Sequence, residues 1–153
     1  MTPLLRAMLD DWDSYASPDK AVYAYAELVP QSKQSTRFGN GRSFTSPKKR
    51  KYLADLAKLL RASLTSDSIS GRIRLTVLYC FPWRQSDKQL QRDLGWSFMD
   101  KRPDIDNLTK PLCDALQAVA LEDDSQIVDI RARKIRVEVP CIAVRLDQIA
   151  ERT

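Results

Sequence analysis

The chain of 153 residues contains no histidine. That absence excludes Ser-His-Asp and Cys-His catalysis and the common histidine-rich zinc sites, leaving carboxylates, lysine and hydroxyls for any chemistry at neutral pH. No apolar run approaches the roughly 18 residues that mark a membrane-spanning helix. The first residues also lack the cationic start, apolar stretch and small-residue cleavage site of a secretion signal. Neither membrane insertion nor secretion is therefore expected. The three cysteines, Cys80, Cys113 and Cys141, are odd in number and far apart in apolar contexts, with no C-x-x-C pair. They read as reduced core residues and match a reducing cytoplasm. Acid is missing from Pro30 to Lys51, where Lys33, Arg37, Arg42, Lys48, Lys49, Arg50 and Lys51 stand unopposed.

A chain of this length fits one domain and should bury about 68 to 70% of its unfolded surface, enough for a core without staples. The formal charge of +5 and a pI near 9.2 favour a polyanionic partner. Within this basic protein, acid is concentrated at Asp104-Ile105-Asp106-Asn107-Leu108-Thr109-Lys110 and again at Glu122-Asp123-Asp124. If residues 103 to 106 are extended, Asp104 and Asp106 project to one side, about 6 to 7 Å apart by strand rise, and can converge on one cation. Two carboxylates held close repel, and one takes up a proton unless a divalent ion neutralises them, so the spacing suggests Mg²⁺ chemistry. Blander readings stand beside this one. Asp104 and Asp106 could be helix capping and solvated charge, Asp123 and Asp124 an ordinary turn, and Lys110 the i,i+4 partner of Asp114.

Residues 2 to 13 place Leu5, Met8, Leu9 and Trp12 at helical spacing, with Asp10, Asp11 and Asp13 at the end. Acid there opposes the macrodipole, so the helix is expected to dock against a basic surface, its own domain's or a partner subunit's. Residues 21 to 29 alternate as a strand, and a basic loop carrying Phe38-Gly39-Asn40-Gly41 follows. Ser46 and Pro47 have the character of an N-cap and first helical residue, ahead of a buried stripe of Leu53, Leu56, Leu60 and Leu64. Four cations in that first turn cost a few tenths to about 1 kcal/mol each. An incoming phosphate would offset this by using both the cations and the free N–H groups. Residues 72 to 81 read as a strand. Residues 82 to 103 form a long polar connection in which Trp83, Trp96 and Phe98 either cluster to pin the loop or stack on DNA.

Asn107 to Val119 reads as a helix with Leu108, Leu112, Ala115, Leu116 and Val119 inward and Pro111 near its first turn. Residues 127 to 139 and 141 to 146 read as strands. Their apolar parity passes from Val128, Ile130 and Ala132 to Ile135, Val137 and Val139, which predicts a bulge near Arg133-Lys134. Arg131, Arg133 and Arg136 either extend a DNA-facing surface or decorate a solvated edge strand. The expected architecture is α/β (α+β): a single domain with a mixed sheet of about four strands and two main helices packed on it. An extra N-terminal helix occupies residues 1–20, and the main domain spans 21–153.

The run Lys101-Arg102-Pro103-Asp104-Ile105-Asp106-Asn107-Leu108-Thr109-Lys110-Pro111-Leu112-Cys113-Asp114-Ala115-Leu116, then Asp123-Asp124-Ser125-Gln126-Ile127-Val128, resembles the core of the RusA family of Holliday junction resolvases. Its D-x-D-N-L-x-K…D-A-L…D-D-x-Q-[IV] pattern is specific. Weaker agreement extends to Pro30-Gln31-Ser32-Lys33, Phe81-Pro82-Trp83 and Arg133-Lys134-Ile135, so the resemblance covers residues 21 to 147 and leaves the first twenty outside. It implies a Mg²⁺-dependent endonuclease, with Mn²⁺ able to substitute. It further implies a homodimer that nicks four-way or branched DNA symmetrically in recombination and repair, in the cytoplasm, bacterial or prophage-encoded. By this resemblance Asp104, Asp106 and Asp124 are metal-binding carboxylates, Asp123 is an alternate ligand, and Lys110 is the essential lysine. DNA contact then falls to Lys33, Arg37, Arg42, Lys48, Lys49, Arg50, Lys51 and Arg102. Phe38 or Phe44 is a candidate wedge at the crossover, against a core role for Phe44. The stretch 84 to 100 exceeds that of the shortest family members. A less specific flap nuclease and a noncatalytic basic DNA-binding module are the rival readings.

Overall fold

The computed structural model describes residues 1–10, 20–33, 37–39, 42–44 and 46–150, with only the backbone for 37–39 and 42–44. In chain order the elements are α1 (Pro3–Asp10), β1 (Ala21–Ala26), β2 (Arg37–Gly39), β3 (Arg42–Phe44), α2 (Pro47–Ser63), β4 (Ile73–Pro82), α3 (Gln89–Asp93), β5 (Ser97–Phe98), α4 (Ile105–Val119), a 3-10 turn (Asp124–Gln126), β6 (Ile127–Val137) and β7 (Cys141–Gln148). Five strands form one mixed sheet in the order β1-β7-β4-β6-β5, and β2 and β3 make a separate hairpin inside the basic tract. Among the described residues of this sheet, only β4 and β6 run parallel. This is the expected α+β class with one more strand in the sheet, because β5 is too short to show a period in sequence.

The sheet is covered on both faces. Ile73, Leu75, Val77, Tyr79 and Phe81 of β4 join Leu56 and Leu60 of α2 and Leu108, Leu112, Ala115 and Leu116 of α4 in the main core. The alternate residues Leu78 and Cys80 pack with Ile135, Val137 and Cys141 beneath Leu5, Met8 and Leu9 of α1. Two-sided cover also accounts for the parity change along β6. Ala132 packs toward the helices and Ile135 and Val137 toward α1, on a strand in unbroken register with β4 from Asp129 to Val137. No bulge forms at Arg133-Lys134. The register shift falls at the start of the strand, where Val128 is the extra residue between Ile127 and Asp129. The stripe on α2 holds Leu56, Leu60 and Leu64 as expected and departs from expectation only at Leu53. Tyr52 and Leu59 pack with Leu56 and Leu60, while Leu53 stays half-buried outside the core, since four residues back from Leu56 is Tyr52.

The acidic end of α1 meets the expected basic partner within its own domain: Asp10 accepts hydrogen bonds from Arg145 Nη1 at 2.8 Å and Tyr23 Oη at 2.7 Å. Trp12, Asp11 and Asp13 lie outside the described residues. The free edge of β1 is sealed by the end of α2. Ser63 Oγ accepts from Tyr25 N at 2.7 Å and Thr65 Oγ1 from Tyr23 N at 2.9 Å, so those amides offer no template for a further strand.

On the other side, β6 is interior to the sheet, and Arg136 is only 6% exposed. Its guanidinium donates to Pro82 O at 2.7 Å and lies 3.5 Å from Asp87, so it ties down the long connection instead of facing DNA or solvent. Trp96 and Phe98 meet edge to face at 5.0 Å, and among the described residues no ring contact joins Trp83 to them. Cys80 and Cys141, 61 residues apart in sequence, are direct partners across β4 and β7, both buried and both free thiols.

Candidate active site

Helix α4 begins at Ile105, two residues earlier than expected, with extended Asp104 as its N-cap. Residues 103 to 106 are therefore not a strand. Asp104 precedes the helix and Asp106 sits in its first turn, so the two carboxylates share a helix N-terminus, where the macrodipole favours anions. Asp104 makes no side-chain capping bond, which leaves its oxygens for another ligand, and both residues are exposed. Helical spacing places Asp106, Lys110 and Asp114 on one stripe. Lys110 Nζ lies 3.5 Å from Asp114 Oδ1 and 3.6 Å from Asp124 Oδ2, so the 3-10 turn and α4 meet at this ammonium. The Asp114 carboxylate, and after it Asp124, raises the Lys110 pKa and keeps the side chain a cation. The ion pair with Asp114 is thus present together with a contact to the second acidic cluster.

Asp123 and Asp124 are placed differently by one local motif. Asp123 Oδ1 accepts from Ser125 N at 2.8 Å, and Gln126 Oε1 accepts from Glu122 N at 2.8 Å and Asp123 N at 3.2 Å, a reciprocal capping box. The Ser125 hydrogen bonds hold the Asp123 carboxyl below its ordinary range. Gln126 Nε2 also donates to Gly71 O at 3.2 Å, fixing the turn to the approach of β4. Asp123 is engaged in the turn, while Asp124 reaches Lys110.

Two features the sequence did not reveal anchor α4. Pro111 is the seventh residue of the helix, not a first-turn residue, and it has no N–H to give to Asn107 O. That carbonyl accepts instead from Lys33 N at 2.7 Å, which pins the start of the basic tract to the acidic helix. Tyr79 of β4, fully buried, donates through its hydroxyl to Thr109 Oγ1 at 3.0 Å, and Thr109 Oγ1 donates to Ile105 O at 2.7 Å. The sequence signal for the first was a proline inside an apolar helical pattern, and for the second a tyrosine at a core position.

An open cleft of about 530 Å³ lies at the start of α4, lined by Gln31, Ser32, Arg102, Pro103, Asp104 and Asn107 among others. It brings Arg102 beside Asp104. Gln31 also lines a second open cleft, of about 680 Å³, with Lys48, Lys51 and Tyr52 of α2, and Gln31 N donates to Tyr52 Oη at 3.1 Å. The cationic start of α2 and the acidic start of α4 therefore flank one segment, residues 30–33. Ser46 caps α2 by accepting from Lys49 N at 3.3 Å, and Lys51 pairs with Asp55 at 2.7 Å. Lys49 and Arg50 complete that first turn. Arg37 and Arg42 stand on β2 and β3 with side chains outside the described residues, as are those of Phe38 and Phe44.

The oxygen donors Asp104, Asp106 and Asp124 suit a hard divalent cation in type. Among the described residues, no three acidic or thiol side chains converge on one metal position, and Asp124 faces Lys110.

The model of the family described as endodeoxyribonuclease RusA matches residues 27–147, a span that holds both clefts, α2, α4 and the 3-10 turn. The chain belongs to the RusA family. RusA membership makes it an endodeoxyribonuclease of the Holliday junction resolvase kind. Helix α1 lies outside the RusA match. The chain is also similar to the uncharacterized protein YqaN of Bacillus subtilis (strain 168), 27% identical over 133 residues that cover 82% of this chain and 94% of that protein. Among the described residues of this RusA-family chain, no helix is long and apolar enough to cross a membrane.

Proposed function

We propose that this chain resolves four-way DNA junctions by Mg²⁺-dependent hydrolysis, as a homodimer making symmetric paired nicks in recombination and repair. The observation that carries the reading is Lys110, held between Asp114 and Asp124 one turn beyond Asp106, on the helix whose N-cap Asp104 shares a cleft with Arg102. Phosphodiester hydrolysis needs an activated water and compensation of extra negative charge on phosphorus. Bound Mg²⁺, for which Mn²⁺ can substitute, supplies a lowered water pKa and part of that compensation. Asp104 and Asp106 would hold it, joined by Asp124 once that carboxylate turns from Lys110, with Asp123 an alternate ligand through the oxygen that the turn leaves over.

Lys110 contributes a fixed positive charge at the place where charge develops. Arg102 can grip a phosphate through two parallel N–H bonds, and the start of α2 receives another chiefly through Lys48, Lys49 and Arg50, since Lys49 N is already capped by Ser46 and Lys51 is paired with Asp55. Lys33, Arg37 and Arg42 extend the same phosphate-facing tract. A four-way junction has two-fold symmetry, so a C2 pair of subunits sets two identical sites across it.

The test compares cleavage of junction, duplex and flap DNA in Mg²⁺, in Mn²⁺ and with EDTA. Junction-selective cutting that EDTA abolishes is expected, whereas equal rates on the three substrates would sink the resolvase reading. Asp106→Asn should abolish cleavage and leave junction binding intact. Undiminished nicking by that variant would remove the carboxylate site.

A further inference from the structure

We infer that Lys134 is a positioning residue that fixes the segment carrying Arg102 and Asp104. Lys134 lies on β6, directly opposite Tyr79 of β4. Its Nζ donates to Lys101 O at 2.7 Å and to Pro103 O at 2.8 Å, and its own carbonyl accepts from Met99 N at 3.0 Å. One residue thus tethers the chain at three points immediately before Asp104. Its cross-strand neighbour Tyr79 holds the other side through Thr109 to the carbonyl of Ile105. A single rung of the sheet therefore grips backbone carbonyls on both sides of Asp104: residues 101 and 103 before it, and 105 after it.

The chemistry of Lys134 favours a positional role over simple packing. Its side chain is half-buried on the helix-facing side of the sheet, in line with Tyr79 and Ala132 of the main core. No carboxylate pairs with it among the described ion pairs, and its charge is met by the two carbonyls alone. Those two bonds spend the ammonium on backbone carbonyls of one short segment, which is a geometric role. Asp104 has no capping bond of its own, so backbone anchors on either side are what fix the position from which its carboxylate projects. Arg102 sits in the chain between the two gripped carbonyls.

This inference rests on the reading of Asp104 as a metal-holding carboxylate, and the experiment separates the two. Lys134→Met keeps the stem and removes the donors, and Lys134→Arg keeps donors. Each full-length variant is compared with wild type by single-turnover junction cleavage over a Mg²⁺ titration, by junction binding in EDTA, by thermal melting and by its amide NMR spectrum. Lys134→Met is expected to stay folded and to bind junctions as wild type does. Its amide shifts should change at residues 101–106 and not in β7, its Mg²⁺ requirement should rise, and its cleavage should fall by about 10²-fold, as an ångström-scale misplacement does. Lys134→Arg should recover part of the rate.

Wild-type cleavage by Lys134→Met, unchanged shifts at 101–106, or a rate loss that merely follows melting in both variants would overturn the inference. If wild type itself does not cut junctions, the functional reading falls. The amide shifts then decide the positioning role by themselves.

Discussion

Thr109→Val should destabilise the protein more than Tyr79→Phe, and adding Tyr79→Phe to Thr109→Val should restore part of the loss. Tyr79→Phe removes one neutral hydrogen bond and leaves the half-buried Thr109 hydroxyl still donating to Ile105 O. The cost is about 0.5 to 1.5 kcal/mol. Thr109→Val does something worse. It leaves the Tyr79 hydroxyl, on a side chain with 0% exposure, with no acceptor. A buried orphan of that kind costs about 1 to 3 kcal/mol.

The double variant has neither the donor nor the missing acceptor, so it should be more stable than Thr109→Val alone. Burial pushes the Tyr79 phenol well above its ordinary pKa, so the ordering should hold at mildly acidic and mildly alkaline pH alike. Urea unfolding reads the effect as a shift in midpoint at constant slope, and melting as about 2 to 4 °C per kcal/mol for a chain of this size. Losses that simply add in the double variant would refute the reasoning, because the two hydroxyls would then be energetically independent.

Two further outcomes are expected. Replacing Lys48 and Lys49 with glutamine should make the dependence of junction affinity on salt shallower, by about 0.9 log unit per log unit of salt for each phosphate that is no longer neutralised. An unchanged slope would show that the start of α2 does not meet phosphate. The Lys110 pKa is raised from 10.5 by Asp114 and then by Asp124. Its contribution to stability is therefore fully present below the unfolded lysine pKa and is lost as pH rises through the folded one. An NMR titration without divalent metal should place its midpoint above 10.5, with Asp114→Asn moving it down. A midpoint below that value would exclude the ion pairs.

Strong periodicity made the long elements legible. Ile73, Leu75, Val77, Tyr79 and Phe81 recur at every second residue because one face of β4 packs beneath α2 and α4, and Leu108, Leu112, Ala115 and Leu116 fall on one helical face because α4 packs on the sheet. The acidic residues were conspicuous against a basic chain. Their geometry was not, since a D-x-D spacing is equally compatible with a strand and with an N-cap plus first turn. The parity change in β6 looked like a bulge because one-sided burial was assumed, and α1 covers the second face. Arg136 looked exposed for the related reason that β5, which flanks its strand, has only two residues. The grips on α4 from Tyr79 and Lys33 join residues 30 and 74 positions away from their partners in the chain. No local pattern encodes contacts of that range.

The break that Pro111 makes in α4 has a consequence for how the basic tract can change. Because Lys33 is held by its peptide N–H on Asn107 O, the bond does not depend on the side chain at that position. Lys33 can therefore be exchanged for any residue except proline without unfastening the loop. Where residue 33 sits and what charge it carries become separate variables, so the chemistry at this position can be rewritten while its distance from the acidic helix stays fixed.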